Sequence, residues 1–253
     1  MRFSTILTGV LSASLLCLSG SLAAGDLPRP ETYGVLLFHA FEMLDVYSPL
    51  EALSLLALRT ERDLYLIAEI LDPVTPAPRP PTTAHNSSFY PAVNPTHIFS
   101  NAPDLDVLII PGGLGPGYTG PNLTRTIDFI STTYPNLQYV ITVCTGSALA
   151  SRAGILDSRR ATTNKASWID VTTNQAGINN TVEWVPKARW VVDGNIWTSS
   201  GSPAAIDATL AFIEEFYGRE NATWVTNLRK YERNEDKDWD LFAEIWEVPG
   251  WDA

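Results

Sequence analysis

A single thiol sits where the chain has every reason to turn. Residues Tyr139 to Val143 form an apolar, β-branched run that stops at Cys144, and Thr145-Gly146-Ser147-Ala148 follow at once. Small residues directly after a strand allow a sharp strand-to-helix turn, which holds the turning side chain out of the sheet as a nucleophile elbow does. A helix start beneath such a residue favours thiolate over thiol. Only Cys17 and Cys144 occur, and Cys17 lies in an N-terminal leader. The remaining cysteine has no internal disulfide partner, so it is either a buried small hydrophobe or a working thiol. Its place at the turn favours the working thiol.

Two further turns carry chemistry. Val107 to Ile110 is a short apolar strand ending in Pro111-Gly112-Gly113-Leu114-Gly115-Pro116-Gly117. The spacing is neither Gly-x-Gly-x-x-Gly nor a Gly-Lys-Ser/Thr phosphate loop. Backbone N–H groups at Gly112 and Gly113, with that of Thr145, suit an anion or substrate hole, while the glycines can also serve simply to turn the chain. Asp45 follows the first strand and reads in two ways. It is either an N-cap for the next helix or a carboxyl group facing the thiol, able to donate or accept a proton. His39 ends the first strand and is a near-site residue. The three histidines, at positions 39, 85 and 97, are scattered, so no metal or other cofactor is expected.

The elements that must position these turns alternate. Strands are expected at Tyr33 to Phe38, Asp63 to Leu71, Val107 to Ile110, Tyr139 to Val143, Val182 to Val185, Trp190 to Asp193 and Ile196 to Ser199. Helices are expected at Asp45 to Leu58, Asn122 to Thr133 with Asn122 near its N-cap, Gly146 to Ala153 with Gly154 beyond it, and Ser202 to Tyr217 with a serine cap. Asp193-Gly194-Asn195 signals a hairpin. Such alternation predicts an α/β fold with a doubly wound, mostly parallel sheet, whose ligands bind at the carboxyl ends of the strands. Residues 72 to 97 are rich in proline and polar residues and read as a surface excursion with one strand near Phe89 to Val93. Trp224, Trp239, Trp246 and Trp251 make the tail after Glu220 aromatic, so it should dock on the domain or on a second copy.

The chain has 253 residues, a net charge of -11 and a pI near 4.6. No basic cluster suits it to nucleic acid. Residues 1 to 24 look like a secretory signal, with Arg2 before an apolar stretch and small residues before the expected cleavage. Residues 25 to 253 then form one domain, with its core at about 32 to 217 and an extension at 220 to 253. Four Asn-x-Ser/Thr sequons, at Asn86, Asn122, Asn179 and Asn221, fit a secreted glycoprotein that no membrane retains after signal cleavage.

Together these stretches resemble the ThiJ/PfpI superfamily, the DJ-one-like branch of the class I glutamine amidotransferase fold. The matching segments are Leu44-Asp45-Val46-Tyr47-Ser48-Pro49-Leu50-Glu51, Asp106 to Gly113, Val143-Cys144-Thr145-Gly146, Ala153-Gly154-Ile155-Leu156-Asp157, Arg160 to Asn164, Val192 to Asn195 and Thr198 to Gly201. The resemblance implies a flavodoxin-like three-layer sandwich with Cys144 on the elbow and Asp45 contacting it. The Leu-Asp and Cys-Thr-Gly context is similar to isonitrile hydratases, which implies a cysteine-dependent hydro-lyase acting on a small electrophile and needing no cofactor. A glyoxalase-type lyase on 2-oxoaldehydes and a non-enzymatic redox sensor are the alternatives on the same fold. Many relatives carry histidine where this chain has Asn164, followed by Lys165, and asparagine cannot act as a general base. That departure weakens protease and glyoxalase readings more than a hydratase. Relatives are often dimers, so a homodimer is expected too.

Overall fold

A computed structural model describes residues 29–78, 87–115, 123–174 and 181–252. The expected leader, the sequons at Asn86, Asn122 and Asn179, the Asn122 N-cap and the histidine at 85 lie outside these residues.

Nine strands and six α-helices are formed by the described residues. In chain order they are β1 (Thr32–Leu36), α1 (Met43–Leu56), β2 (Asp63–Ala68), β3 (His97–Ile98), β4 (Val107–Ile110), α2 (Thr124–Thr133), β5 (Tyr139–Val143), α3 (Gly146–Arg152), β6 (Arg160–Ala161), β7 (Glu183–Trp184), β8 (Trp190–Asp193), β9 (Ile196–Ser199), α4 (Ser202–Tyr217), α5 (Arg219–Arg229) and α6 (Leu241–Ile245). Seven strands make one sheet in the order β3-β2-β1-β4-β5-β9-β8, parallel throughout except for the β8–β9 hairpin. The hairpin turns through Gly194 at φ 59°, as the Asp-Gly-Asn signal predicts.

The central strands are apolar on both faces because helices cover both. All four residues of β4 are 0% exposed, each burial contributing about 1.5–3 kcal/mol. Helices α1, α4 and α5 pack together, and α2 packs with α3. The chain leaves β1 towards β2 on one side and leaves β4 towards β5 on the other. Right-handed crossovers then place α1 and α2 on opposite faces. The same reversal opens a crevice between the carboxyl ends of β1 and β4, where ligands bind in open α/β sheets.

Several expectations need correction. The strand near Phe89 to Val93 reduces to one bridge between Val74 and Val93, and Phe89 is almost fully exposed. The strand expected at Val182 to Val185 does not join the main sheet; Glu183–Trp184 pairs with Arg160–Ala161 in a separate two-stranded ladder. The aromatic tail docks on its own domain. Arg189 and Trp190 donate backbone N–H groups to the Lys237 carbonyl at 2.8 and 3.2 Å, and Asp240 donates to that of Lys187 at 2.9 Å. Ala243 and Val248 then bury against Trp168, with Trp184 and Trp251 alongside.

Candidate active site

Three loops converge at the crevice. Cys144 follows β5 with φ 57°, a left-handed conformation that is costly for a side-chain-bearing residue, by about 1–3 kcal/mol. The elbow is enforced from below. Gly146 sits against the backbone of Ile110 and Pro111, and any Cβ there would collide with the Ile110 carbonyl oxygen. The turn after β4 is stitched to the turn after β1 by a Phe41–Gly113 bridge and by the Glu42 N–H donating to the Gly112 carbonyl at 2.8 Å. Gly113 takes φ 129°, and its absent side chain makes room for the Ala40–Glu42 backbone.

Asp45 is not an N-cap. Glu42 occupies that position without a side-chain bond, and Asp45 lies in the first turn of α1, wholly buried. Its carboxylate accepts the Gly112 N–H at 3.0 Å and the Ser202 hydroxyl at 2.5 Å, and the Cys144 thiol beside it also favours its charged form. Burial pushes Asp45 up to about 6, against the opposing pull of the Ser202 and Gly112 bonds. Burial first, and then the Asp45 charge, push the Cys144 thiol up, although the Thr145 N–H and the Asn164 side chain favour its thiolate. At neutral pH the pair therefore rests as carboxylate and thiol. The helix start does not dominate as expected, because taking the sulfur out of water outweighs it.

The glycine N–H groups are also not presented as expected. That of Gly112 is spent on Asp45, and that of Gly113 goes to the Thr145 hydroxyl at 3.0 Å, which in turn donates to the Gly113 carbonyl at 2.9 Å. Gly112, Gly113 and Thr145 are thus brought together, but the two glycines act as anchors for the acid and the elbow. The Thr145 N–H remains directed at the sulfur.

Asn164 stands at the thiol, as its position in the resemblance implies. Its side chain bonds Cys144, and its Oδ1 accepts the Ser167 N–H at 3.0 Å. His39 is exposed on the turn after β1. His97 packs edge-on against Tyr65 at the sheet margin. Asn221 lies in α5 with its Nδ2 donating to the Tyr217 carbonyl at 2.7 Å. Ser202 was hidden from sequence reasoning. It reads as a cap for α4, yet Gly201 holds that position and the hydroxyl reaches back to Asp45. Lys165 and Asp240, both buried near the site, likewise gave no signal beyond their charge.

A flavodoxin-like α/β sandwich with cysteine on a nucleophile elbow and a buried carboxyl from the first helix defines a class of thiol-based proteins. The DJ-1/PfpI family profile matches residues 34–215, and the chain belongs to that family. It is 34% identical over 195 residues to an isonitrile hydratase of Pseudomonas putida, covering 76% of this chain and 75% of that one. It is 31% identical over 116 residues to the deglycase PfpI of Pyrococcus furiosus, covering 46% of this chain and 63% of that one. Among solved structures, a ThiJ/PfpI family protein from Pseudomonas syringae superposes with a TM-score of 0.63 at 23% identity, covering 87% and 85% of the two chains. An AraC family transcriptional regulator from Pseudomonas putida shares the fold at a TM-score of 0.63 and 17% identity, covering 79% of this chain and all of that one.

Proposed function

We propose that the protein is an isonitrile hydratase-type hydro-lyase, converting R–N≡C and water to the formamide R–NH–CHO. The observation that carries this reading is the pairing of Cys144 with the buried Asp45 carboxyl, with asparagine rather than histidine at position 164.

An isonitrile carbon accepts a nucleophile and a proton at the same atom. One base next to the thiol is then enough. Cys144 sulfur forms a bond to that carbon while Asp45 takes the S–H proton and passes it to the same carbon, giving the thioimidate R–N=CH–S–Cys. Water adds to the C=N carbon, its proton going to nitrogen. The C–S bond then breaks, the carbonyl forms, and the departing sulfur recovers a proton through Asp45. Asn164 and the Thr145 N–H steady the sulfur as charge develops on it. A glyoxalase-type reaction moves protons between separate atoms, and asparagine at 164 cannot carry one. The identity to the Pseudomonas putida enzyme supports the hydratase reading independently. The signal-like sequence of residues 1 to 24 supports action outside the cell.

The test is formamide production from phenyl isonitrile by the purified protein beside Cys144→Ala. Turnover confined to the parent is expected. Equal rates from both proteins, or no formamide from either, would sink the reading.

A further inference from the structure

A cavity of about 290 Å³ lies beside the thiol site. Asn164, whose side chain acts on the Cys144 thiol, and Ser202, which bonds Asp45, both line it. Lys165 and Asp240 line it as well, although they are only 4% and 2% exposed. Phe242 and Trp246 of the docked tail complete the wall, and both are about half exposed. This chamber exists only because the tail folds back over β8.

The polar groups are arranged for a ligand without net charge. An ammonium has three N–H donors. Burial pulls Lys165 down to about 7 while the nearby Asp240 charge raises it; in its ammonium form it spends two donors, on the Thr162 hydroxyl at 2.8 Å and the Ala188 carbonyl at 2.9 Å, with Nζ 5.0 Å from the centre of the Trp168 ring. One donor is left for the cavity. Asp240 accepts from the Ser200 hydroxyl and from the Phe242 N–H, one bond to each oxygen. A carboxylate offers about four acceptor sites, so it retains capacity as well. Lys165 and Asp240 make no direct ion pair, and Arg189, also on the wall, donates from Nε and Nη2 to one oxygen of Asp207, Oδ2, at 2.8 and 2.6 Å. A cationic ligand would meet Lys165 and an anionic one Asp240. A group that both accepts and donates satisfies the two at once.

We propose that this cavity binds the substituent R of the substrate, and that it selects one ring or a similarly compact group ending in a hydroxyl or primary amide, which accepts from Lys165 and donates to Asp240. Identifying the occupant as R rests on the hydratase reading. The size fits, because a cavity of about 150 Å³ already admits benzene. Phe242 and Trp246 supply apolar and aromatic contact for the ring. Sites built to bond a hydroxyl reject analogues that leave their buried polar groups unpaired.

Calorimetric binding of three product analogues tests this without turnover: N-(4-hydroxyphenyl)formamide, N-(4-methoxyphenyl)formamide and N-phenylformamide. The hydroxyl compound should bind at least tenfold more tightly than the other two. Lys165→Met should erase that preference, and Trp246→Ala, a change at a half-exposed wall, should weaken all three at least fivefold. Equal binding of the three compounds, no binding of any, or binding unaffected by Trp246→Ala would overturn the inference. Phenyl isonitrile turnover is scored separately. Turnover without the binding preference defeats the cavity proposal alone, and the preference without turnover defeats the hydratase reading while leaving the cavity a site for this chemical class.

Discussion

Replacing Asp45 by asparagine should make the protein both less active and more stable. The carboxyl is wholly buried, and its folded-state value is raised from 3.8 to about 6. Between those values the folded protein holds a proton that the unfolded chain has lost, so stability falls as pH rises through that window. At about 1.36 kcal/mol for each tenfold change in the proton equilibrium, the full cost at neutral pH is about 3 kcal/mol. Linkage arithmetic puts about half of that cost in place already at pH 5. Asparagine has nearly the same shape. Its oxygen can accept the Gly112 N–H, and its amide can donate to Ser202, without any charge to bury. Asp45→Asn should therefore gain about 1–3 kcal/mol at pH 7.5, or roughly 2–4 °C in Tm for each kcal/mol. The gain at pH 5 should be smaller by about 1.4 kcal/mol. Urea melts of both proteins at the two pH values measure the difference, in which all other titrating groups cancel. Formamide production should fall by at least 100-fold in the same variant, because no base remains to take the thiol proton. An Asp45→Asn protein no more stable than the parent at pH 7.5, or a gain that does not grow with pH, would refute the account of a buried charge held for function.

Other outcomes follow from the same contacts. Ser202→Ala removes a bond that favours the Asp45 carboxylate, so the acid limb of kcat/KM should move upward from near pH 6 by about one pH unit. Activity that fails at low pH with an unmoved limb would remove Ser202 from the mechanism. Gly146→Ala drives a methyl group into the Ile110 carbonyl and should destabilise the protein by more than about 2 kcal/mol, seen as a lowered urea midpoint with an unchanged slope. Arg189→Met leaves Asp207, which is 0% exposed, without its cation and should cost about 3–5 kcal/mol.

The three loops of the site were legible because each follows a strand whose pattern is strong. Val107–Ile110 is uniformly apolar, Tyr139–Val143 is apolar but for Thr142, and both are followed by glycine or small residues, so the ends that carry Gly112 and Cys144 fall where the sequence predicts. The residues alone leave Asp45 between two readings, an N-cap for the next helix and a carboxyl facing the thiol. The tertiary approach of Gly112 and Ser202, 67 and 157 positions away, distinguishes the two readings. The resting thiol was misjudged for a related reason. A helix start is a local feature, whereas burial depends on what every other element covers. Strands of two residues, such as His97–Ile98 and Arg160–Ala161, have too few side chains to show a period. The cavity wall was invisible because Lys165 and Asp240 lie 75 positions apart and meet only when the tail returns across the sheet.

That return has a consequence beyond the cavity. β8 is the last strand on its side, and an uncovered strand edge invites pairing with another chain. The backbone between Lys237 and Asp240 takes up hydrogen-bonding groups of Lys187, Arg189 and Trp190 that would otherwise be offered there. The tail therefore occupies the first position of the β8 edge, at Trp190, and the backbone just before it. Two copies joining edge to edge along the full length of β8 would first have to peel it away, and doing so would dismantle the Asp240–Phe242 wall beside Cys144. Self-association by that route and an intact binding chamber are mutually exclusive states of the same chain.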